Sequence, residues 1–248
     1  MPSGPDADSA AAATPEPAVG GATHGERAGP RLLPCGESAV LIEVTDTAAA
    51  IDLARRIEVL RSHPASARPL VEDIVAAQRT VLVTAPGAAV LSDLRRAVTE
   101  LIWAPMVSDD SRAAWPGEQA LVEIPVGYAG PDLDVVAAHT GLTRDEVVAA
   151  HTGTDWVVGF TGFAPGFGYL VGGDPRLVVP RRAEPRPRVV AGSVALAGPY
   201  SGIYPTESPG GWQIIGHTGA VLWDLHRDPP ALLRPGLRVR FVDAGGPS

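Results

Sequence analysis

The sequence predicts an α+β and mainly β protein of two domains, a ferredoxin-like domain followed by a closed or nearly closed β-barrel. Strands alternate with amphipathic helices over residues 31–105, which favours a small α+β unit. From residue 157 onward, short β-prone runs are separated by Gly and Pro, a pattern typical of a barrel. The 248 residues suffice for two domains, and the 45% hydrophobic content allows each domain a core.

Residues 1–30 precede the first predicted domain and are rich in Ala, Gly and Pro, with few large apolar side chains. Such a composition cannot bury enough apolar surface to fold, so we expect a disordered tail. The tail lacks the basic start and the apolar core of a signal peptide, and we therefore expect a cytoplasmic protein.

The ferredoxin-like domain is predicted over residues 31–105. Its elements are, in order, a strand over residues 39–44, a helix over residues 47–62, strand material over residues 71–84 and a helix over residues 88–102. Each helix has apolar residues at spacings of three and four, and Thr45 or Asp46 can cap the first one.

A linker separates the two predicted domains at residues 106–117, where Ser, Asp, Pro and Gly replace apolar sequence. The barrel domain is predicted over residues 118–245. Its first elements are a strand over residues 121–126 and two short helices over residues 132–140 and 143–151, with Asp132 and Thr143 as N-caps.

Composition excludes several classes of function. A net charge of -8 argues against broad binding to nucleic acid, which needs a basic face. The chain has no lysine, which excludes Schiff-base chemistry, a Walker-type lysine and a serine–lysine amidase centre within it. One cysteine excludes an internal disulfide, and the histidines lack metal-ligand spacing, so we predict no metal site. The uncharged stretch over residues 156–173 is too rich in glycine for a membrane span.

Residues 162–170 (GFAPGFGYL) alternate aromatic residues with glycines. One interpretation is a bent strand in a small barrel, where Phe163 and Phe167 fill the core. The other is an aromatic wall at which glycines let the backbone approach a ligand. The residues alone leave both interpretations open.

The arginine loop, residues 180–188 (PRRAEPRPR), carries four arginines and three prolines. It is either a solvated loop or an anion-binding segment, because arginine binds carboxylate or phosphate through two parallel hydrogen bonds. Prolines would lower the cost of ordering such a clamp. We expect Arg181, Arg182 and Arg188 to bind a substrate carboxylate or the developing charge of a phosphate.

Two glycine-containing segments follow the arginine loop. Ser193 lies outside a Gly-x-Ser-x-Gly nucleophile elbow because position 195 is alanine, so a self-sufficient serine hydrolase is poorly supported. The sequence SPGG at residues 208–211 predicts a tight turn. The backbone amides expected to polarise an amide oxygen are those around Gly192, Ser193, Gly210 and Gly211.

Polar side chains near the SPGG turn complete the predicted site. Ser208 and Gln213 are expected to hydrogen-bond a small polar substrate. Glu207 and His217 are the candidates for a catalytic acid and base.

A resemblance to a known family rests on six short segments. They are, in order, GFAPGFGYL (162–170), PRR (180–182), PRV (187–189), AGSV (191–194), GIYP (202–205) and SPGGW (208–212). Their order and spacing resemble the family called allophanate hydrolase subunit 1, KipI or the 5-oxoprolinase B subunit (PxpB). His151 also matches a histidine of that family, just ahead of the first segment.

The resemblance implies a cyclophilin-like β-barrel after the ferredoxin-like domain. It implies a subunit-2 (PxpC-like) partner and a third, PxpA-like subunit, which together form an ATP-dependent 5-oxoprolinase that opens a cyclic amide to glutamate. Our leading hypothesis is therefore a subunit of this hydrolase that cannot act alone, with ATP shared with or bound by its partners. The alternatives are a KipI-like inhibitor of a histidine kinase and a component of urea or allophanate degradation.

Overall fold

The computed structural model describes residues 29–62, 69–103 and 120–245. The predicted linker lies outside the described residues, as does the predicted tail apart from residues 29 and 30.

The first sheet consists of β1 (Arg31–Cys35), β2 (Ala39–Glu43), β3 (Asp73–Ala76) and β4 (Thr80–Thr84). Its strands are antiparallel and lie in the order β1-β2-β4-β3. Helices α1 (Thr47–Ser62) and α2 (Leu91–Trp103) accompany it, and α1 packs on β3 and β4. Helix and sheet share one core because each presents an apolar face to the other. Its fully buried members include Val40, Ile57, Val81, Leu94 and Val98.

The helix predicted over residues 47–62 is confirmed at both ends, and α2 follows a single short 3-10 turn at Ala88–Val90. The strand material predicted over residues 71–84 is a hairpin of two strands, because the backbone turns at Gln78 and Ala77 N donates to Thr80 O at 2.8 Å. This hairpin places Gln78 at its tip.

The element order of this first unit differs from the predicted one. A ferredoxin-like unit runs β-α-β-β-α-β, whereas the described elements run β-β-α-β-β-α. Strand β1 lies at the edge beside β2, and no described strand after α2 joins this sheet. The ferredoxin-like topology is therefore not confirmed.

The second sheet has seven strands in the order β12-β9-β10-β7-β6-β13-β5. They are β5 (Leu121–Val126), β6 (Trp156–Thr161), β7 (Gly168–Val171), β9 (Ser193–Ala197), β10 (Tyr200–Ile203), β12 (Gln213–His217) and β13 (Arg238–Asp243). Gly127 and His217 exchange backbone hydrogen bonds of 2.9 and 3.0 Å, which join the two edges of the sheet. The prediction of a nearly closed barrel is thus confirmed.

Helices α3 (Leu133–Thr140) and α4 (Arg144–Thr152) pack against β12 and β13. Thr143 caps α4 as predicted, with a capping box in which its hydroxyl accepts from Glu146 N while the Glu146 carboxylate accepts from Thr143 N. Asp132 occupies the N-cap position of α3 as predicted, but its side chain does not cap the helix. Its carboxylate forms no cap hydrogen bond because two arginines and a strand amide engage it instead.

The arginine loop leads into a separate ribbon of β8 (Arg186–Val189) and β11 (Ser208–Gly210). The two main sheets meet where α1 and β3 pack on β6. There, Ile51 Cδ1 lies 2.8 Å from the place where a side chain at Gly159 would begin, so glycine permits the contact. The hydroxyls of Thr47 and Tyr200 are hydrogen-bonded at 2.5 Å across the same junction.

Candidate functional site

A cavity of about 460 Å³ lies between the outer face of the barrel sheet and the tip of the β3–β4 hairpin. The chain brings residues from distant segments to it. Its lining residues are Gln78, Phe163, Phe167, Tyr169, Pro180, Arg181, Ala197, Gly198, Pro199, Tyr200, Tyr204, Pro209, Gly210 and Trp212. Most of this lining is aromatic or apolar, with a few polar groups, as in small-molecule sites generally.

Strand β10 shows how the sheet forms the wall of this cavity. Successive side chains of a strand point to opposite faces. Tyr200 lines the cavity, whereas Ser201 points inward and lies 2.9 Å from buried His151. Gly202 returns to the outer face, where a Cβ would lie 3.0 Å from both Phe167 and Trp212, so its lack of a side chain lets these rings pack over the strand.

Four aromatic rings form the wall. Phe167 packs edge-on against Tyr204 and Trp212, with ring centroids 5.5 and 5.4 Å apart, and Tyr169 packs against Trp212 at 5.6 Å. Such contacts are the preferred geometry of aromatic pairs. Phe167 fits both interpretations of residues 162–170, because it is buried in the core and also lines the cavity.

Phe163 stands at the mouth of the cavity in a strained conformation. Its φ of 69° lies in the left-handed region, and Ala164 N donates to Gly162 O at 2.8 Å, as in a γ-turn. The ring is 61% exposed although it is large and apolar. An exposed aromatic side chain on a strained turn is a common feature of ligand-binding loops.

Arg181 is the cation of the cavity. It forms no ion pair within residues 29–62, 69–103 and 120–245, and its Nη2 lies 3.7 Å from the point where a side chain at Gly211 would begin. Burial raises the pKa of the Tyr169 and Tyr204 phenols, and the charge of Arg181 opposes this rise. At neutral pH the cavity therefore offers one guanidinium and neutral hydroxyl donors.

The other arginines of the loop are engaged elsewhere. Arg182 and Arg186 bind the carboxylate of Asp132 at 2.9 and 2.7 Å, and Asp132 is only 2% exposed. Arg188 pairs with Glu207 at 2.7 Å, with the two side chains 72% and 52% exposed. Of the three arginines predicted to bind an anion, Arg181 alone lines the cavity, while Arg182 and Arg188 already have acidic partners.

Gly192, Ser193 and His217 lie at the other end of the β9–β12 pair, where Ser193 is the register partner of His217. Strand β9 spans five residues, so this end is about 13 Å from the cavity end. Gly192 N donates to Tyr204 O at 2.7 Å and Ser193 N donates to Val190 O at 3.3 Å. These two amides therefore donate to backbone carbonyls and lie away from the cavity, and their predicted role in polarising a substrate oxygen stays a prediction.

The hydroxyl and imidazole at this end are also engaged. Ser193 Oγ donates to Val190 O at 2.8 Å, and His217 Nε2 lies 2.9 Å from Ala191 O. The site that the sequence placed around Gly192, Ser193 and His217 is therefore separate from the cavity.

Only part of the SPGG turn lines the cavity. Gly210 lines the cavity, and a Cβ there would lie 2.3 Å from the hydroxyl of Tyr204, so glycine is required for this close approach. Gly211 contacts the arginine loop, because its carbonyl accepts a hydrogen bond from Arg182 N at 2.8 Å. Ser208 and Gln213 lie behind the lining, and the Gln213 amide donates to Pro180 O at 3.1 Å.

His151 is a structural residue of the barrel interior. It is fully buried, its Nδ1 lies 2.7 Å from the Tyr128 hydroxyl, and its ring stacks on Phe241 at 4.2 Å. Burial lowers the pKa of the imidazole to about 3, which keeps it neutral. It faces away from the cavity because Ser201, its partner on β10, points inward.

Several residues that line the cavity were not predicted to belong to the site. Among them are Tyr200, Tyr204, Trp212 and Gln78. Tyr204 and Trp212 stand inside the GIYP and SPGGW segments, so their position in the motif was an available signal. Gln78 gave none, because only the fold brings the hairpin tip to the barrel.

Tyrosine hydroxyls and the Arg181 guanidinium are the ionisable groups of the described lining. Among the described residues that line the cavity there is no Ser, Thr, Cys, His, Asp or Glu that could attack or protonate a substrate. In the same described part of the chain, no group of three or more His, Cys, Asp or Glu is placed to hold a metal ion. None of the described helices has the length and apolar character needed to cross a membrane.

Comparison with known proteins gives a consistent result. The family model of the carboxyltransferase domain, subdomain C and D, matches residues 30–233. The chain is 54% identical over 137 residues to the 5-oxoprolinase B subunit of Escherichia coli O157:H7, in an alignment that covers 54% of this chain and 62% of that relative. The chain thus matches less than two thirds of the length of this relative.

Two solved structures share the fold. The protein TTHA0988 has a TM-score of 0.64 at 36% identity, over 85% of this chain and 40% of that one. The urea amidolyase of K. lactis has a TM-score of 0.63 at 19% identity, over 87% of this chain and 15% of that one, a similarity of fold alone. The chain belongs to the family of carboxyltransferase domains, subdomains C and D, and its resemblance to the 5-oxoprolinase B subunit (PxpB) is confirmed.

Proposed function

We propose that this chain is a subunit of an ATP-dependent 5-oxoprolinase and that its cavity binds 5-oxoproline. The observation that carries the proposal is the 54% identity to a 5-oxoprolinase B subunit over 137 residues. That similarity agrees with the chemistry of the cavity, where Arg181, which has no acidic partner among the described residues, lies beside an aromatic wall.

5-Oxoproline has one carboxylate and one lactam on a small ring. Arg181 suits the carboxylate, because a guanidinium and a carboxylate form two parallel hydrogen bonds. The neutral hydroxyls of Tyr169 and Tyr204 would donate to the lactam oxygen. The rings of Phe167 and Trp212 would cover the methylene groups and exclude water, which strengthens the polar contacts.

This chain would bind and orient the substrate, and partner subunits would complete the hydrolysis. Apart from tyrosine hydroxyls, the described lining contains no nucleophilic side chain, and it has no carboxylate or imidazole to act as a base. The proposed partners are a subunit-2 (PxpC-like) protein and a PxpA-like subunit. The same fold occupies only 40% of TTHA0988 and 15% of the urea amidolyase, so further chain accompanies it in both proteins. This observation supports the proposed division between subunits.

The described residues do not fit ATP. A triphosphate needs several cationic groups, whereas the whole chain lacks lysine and the cavity has one unpaired arginine. We therefore place the nucleotide on the partner subunits and derive no step through it in this chain.

The finer architectural predictions belong to the same proposal. They comprise a ferredoxin-like domain over residues 31–105, a cyclophilin-like barrel over residues 118–245 and a cytoplasmic location. Limited proteolysis of the purified chain tests the boundary, with cleavage expected in the predicted linker, residues 106–117, and two protected fragments.

Reconstitution tests the proposed activity. Glutamate released from 5-oxoproline in the presence of ATP would be measured with all three subunits and with this chain omitted. We expect turnover only in the complete mixture, and recovery when the chain is added back. Unchanged turnover without this chain would exclude it as a subunit of the enzyme.

A further inference from the structure

The carboxylate of Asp132 accepts four hydrogen bonds although it is almost completely buried. Arg182 donates one at 2.9 Å, Arg186 donates two at 2.8 and 2.7 Å, and the amide of Ile214 donates one at 2.7 Å. Desolvation by burial acts to raise the pKa of this carboxyl, but the Arg186 and Ile214 hydrogen bonds and the two guanidinium charges hold it below its usual range. Asp132 is therefore an anion bound between two cations.

Such a cluster is costly for stability alone. Each buried ion loses several kcal/mol of hydration, which is recovered only when geometry and hydrogen bonding are complete, and apolar replacements are often as stable. We therefore expect a role other than stability, which depends on the residues that the cluster holds in place.

The cluster joins three elements, of which the arginine loop lines the cavity. Asp132 precedes α3, Ile214 lies in β12, and Arg182 and Arg186 stand near the two ends of the arginine loop. The loop is held further by Arg182 N, which donates to Gly211 O at 2.8 Å. Arg181, the residue beside Arg182, is thereby presented to the cavity and has no acidic partner in the described part of the chain.

We propose that Asp132 is a positioning and specificity-determining residue: it binds Arg182 and Arg186 so that Arg181 alone meets the ligand, which sets the cavity for a singly charged carboxylate. One guanidinium matches the charge of one carboxylate, whereas a phosphate dianion would keep one uncompensated charge. Only the identity of the carboxylate as 5-oxoproline rests on the proposed function.

The test follows the Nε–Hε resonances of the arginines by NMR during titration of the full chain. The ligands are sodium 5-oxoprolinate, sodium acetate as a plain monocarboxylate, and inorganic phosphate. In the unmodified protein, 5-oxoprolinate and acetate are expected to shift the Arg181 resonance, while those of Arg182 and Arg186 stay in place. Shifts of Arg182 or Arg186 equal to those of Arg181 would overturn the proposal without any variant.

Variants separate charge from packing. Asp132→Asn should weaken carboxylate binding by about tenfold and strengthen phosphate binding, because two guanidinium groups are released. The triple variant D132N/R182Q/R186Q should lose the gain in phosphate binding, since the released cations are gone. Asp134→Asn is the matched control, because Asp134 is exposed and pairs with Arg144 on the surface of the same region.

The outcomes distinguish the two proposals. If acetate shifts Arg181 and 5-oxoprolinate does not, the proposed substrate is wrong and the role of Asp132 stands. If folded Asp132→Asn keeps the carboxylate-to-phosphate preference of Asp134→Asn, the role of Asp132 is wrong whatever the substrate.

Discussion

Polar groups at the two faces of the barrel sheet differ in whether their hydrogen bonds are complete. On the inner face, His151 is fully buried and both of its ring nitrogens have partners, the hydroxyls of Tyr128 and Ser201. On the outer face, Arg181 borders a cavity and has no acidic partner among the described residues. Alternate residues of the same strand, β10, contact the two environments.

The difference indicates which of these groups serves folding and which serves a ligand. A buried polar group whose hydrogen bonds are complete contributes to a unique core. A cation beside an aromatic cavity keeps its hydrogen-bonding capacity for another molecule. The sequence made both residues candidates for the site, and only the geometry separates them.

The largest effect is expected at the inner face. His151→Ala removes the stack on Phe241 and leaves the hydroxyls of Tyr128 and Ser201 without their partner. We expect the free energy of unfolding to fall by about 3–4 kcal/mol, measured by urea denaturation. His139→Ala, at an exposed position of α3, is the control and should change little. A loss as small as that of the control would contradict the structural role.

A pH dependence follows from the same imidazole. The pKa of His151 is lowered from 6.5 to about 3 in the folded chain, so between these values only the unfolded chain takes up this proton. The free energy of unfolding should therefore fall as the pH falls below 6.5, by up to about 1.4 kcal/mol per pH unit.

Urea denaturation between pH 7 and about pH 5.5 measures this slope. The pKa values of the Asp132 and Glu146 carboxyls are also lowered, from 3.8 and 4.5, but these groups lose their contributions at lower pH, from about pH 5 downward. His151→Gln should have a smaller slope. An equal slope in that variant would assign the effect to other groups.

A smaller effect is expected at the mouth of the cavity. Phe163→Gly and Phe163→Ala both remove the ring, but only glycine adopts a φ of 69° without strain. The glycine variant should be more stable than the alanine variant by about 1 kcal/mol. Thermal unfolding compares them, and equal stability would show that the turn relaxes when the ring is absent.

The smallest effect is expected at the exposed pair on the rim. Arg188 and Glu207 are more than half exposed, and such pairs contribute about 0.5 kcal/mol or less. Arg188→Gln should leave both the unfolding free energy and the binding of 5-oxoprolinate nearly unchanged. A large loss of binding would show that Arg188 belongs to the binding site.

Local patterns in the sequence predicted much of the fold. Apolar spacing predicted both ends of α1, Thr143 was predicted as the N-cap of α4, and Gly and Pro punctuation predicted the barrel. These signals act over a few residues and depend little on the rest of the chain. Local signals could not predict the topology of the first sheet, because strand order depends on contacts between distant segments.

The site was predictable only in outline. The motif segments contain Phe167, Arg181 and Gly210, which do line the cavity. Local pattern cannot tell Arg181 from Arg182, because their difference lies in Asp132, which is 50 residues distant from Arg182 in the chain. The same limitation explains the cap predicted at Asp132 and the missing Gln78.

The central claim is that Arg181 recognises a small carboxylate at the outer face. Isothermal titration of the full chain with sodium 5-oxoprolinate, alone and with its partner subunits, tests it through Arg181→Gln and its matched control Arg188→Gln. Arg181→Gln is expected to lose about 2 kcal/mol of binding free energy, roughly thirtyfold in affinity, while Arg188→Gln binds as the unmodified chain does. Undiminished binding by Arg181→Gln, or an equal loss in both variants, would contradict the claim.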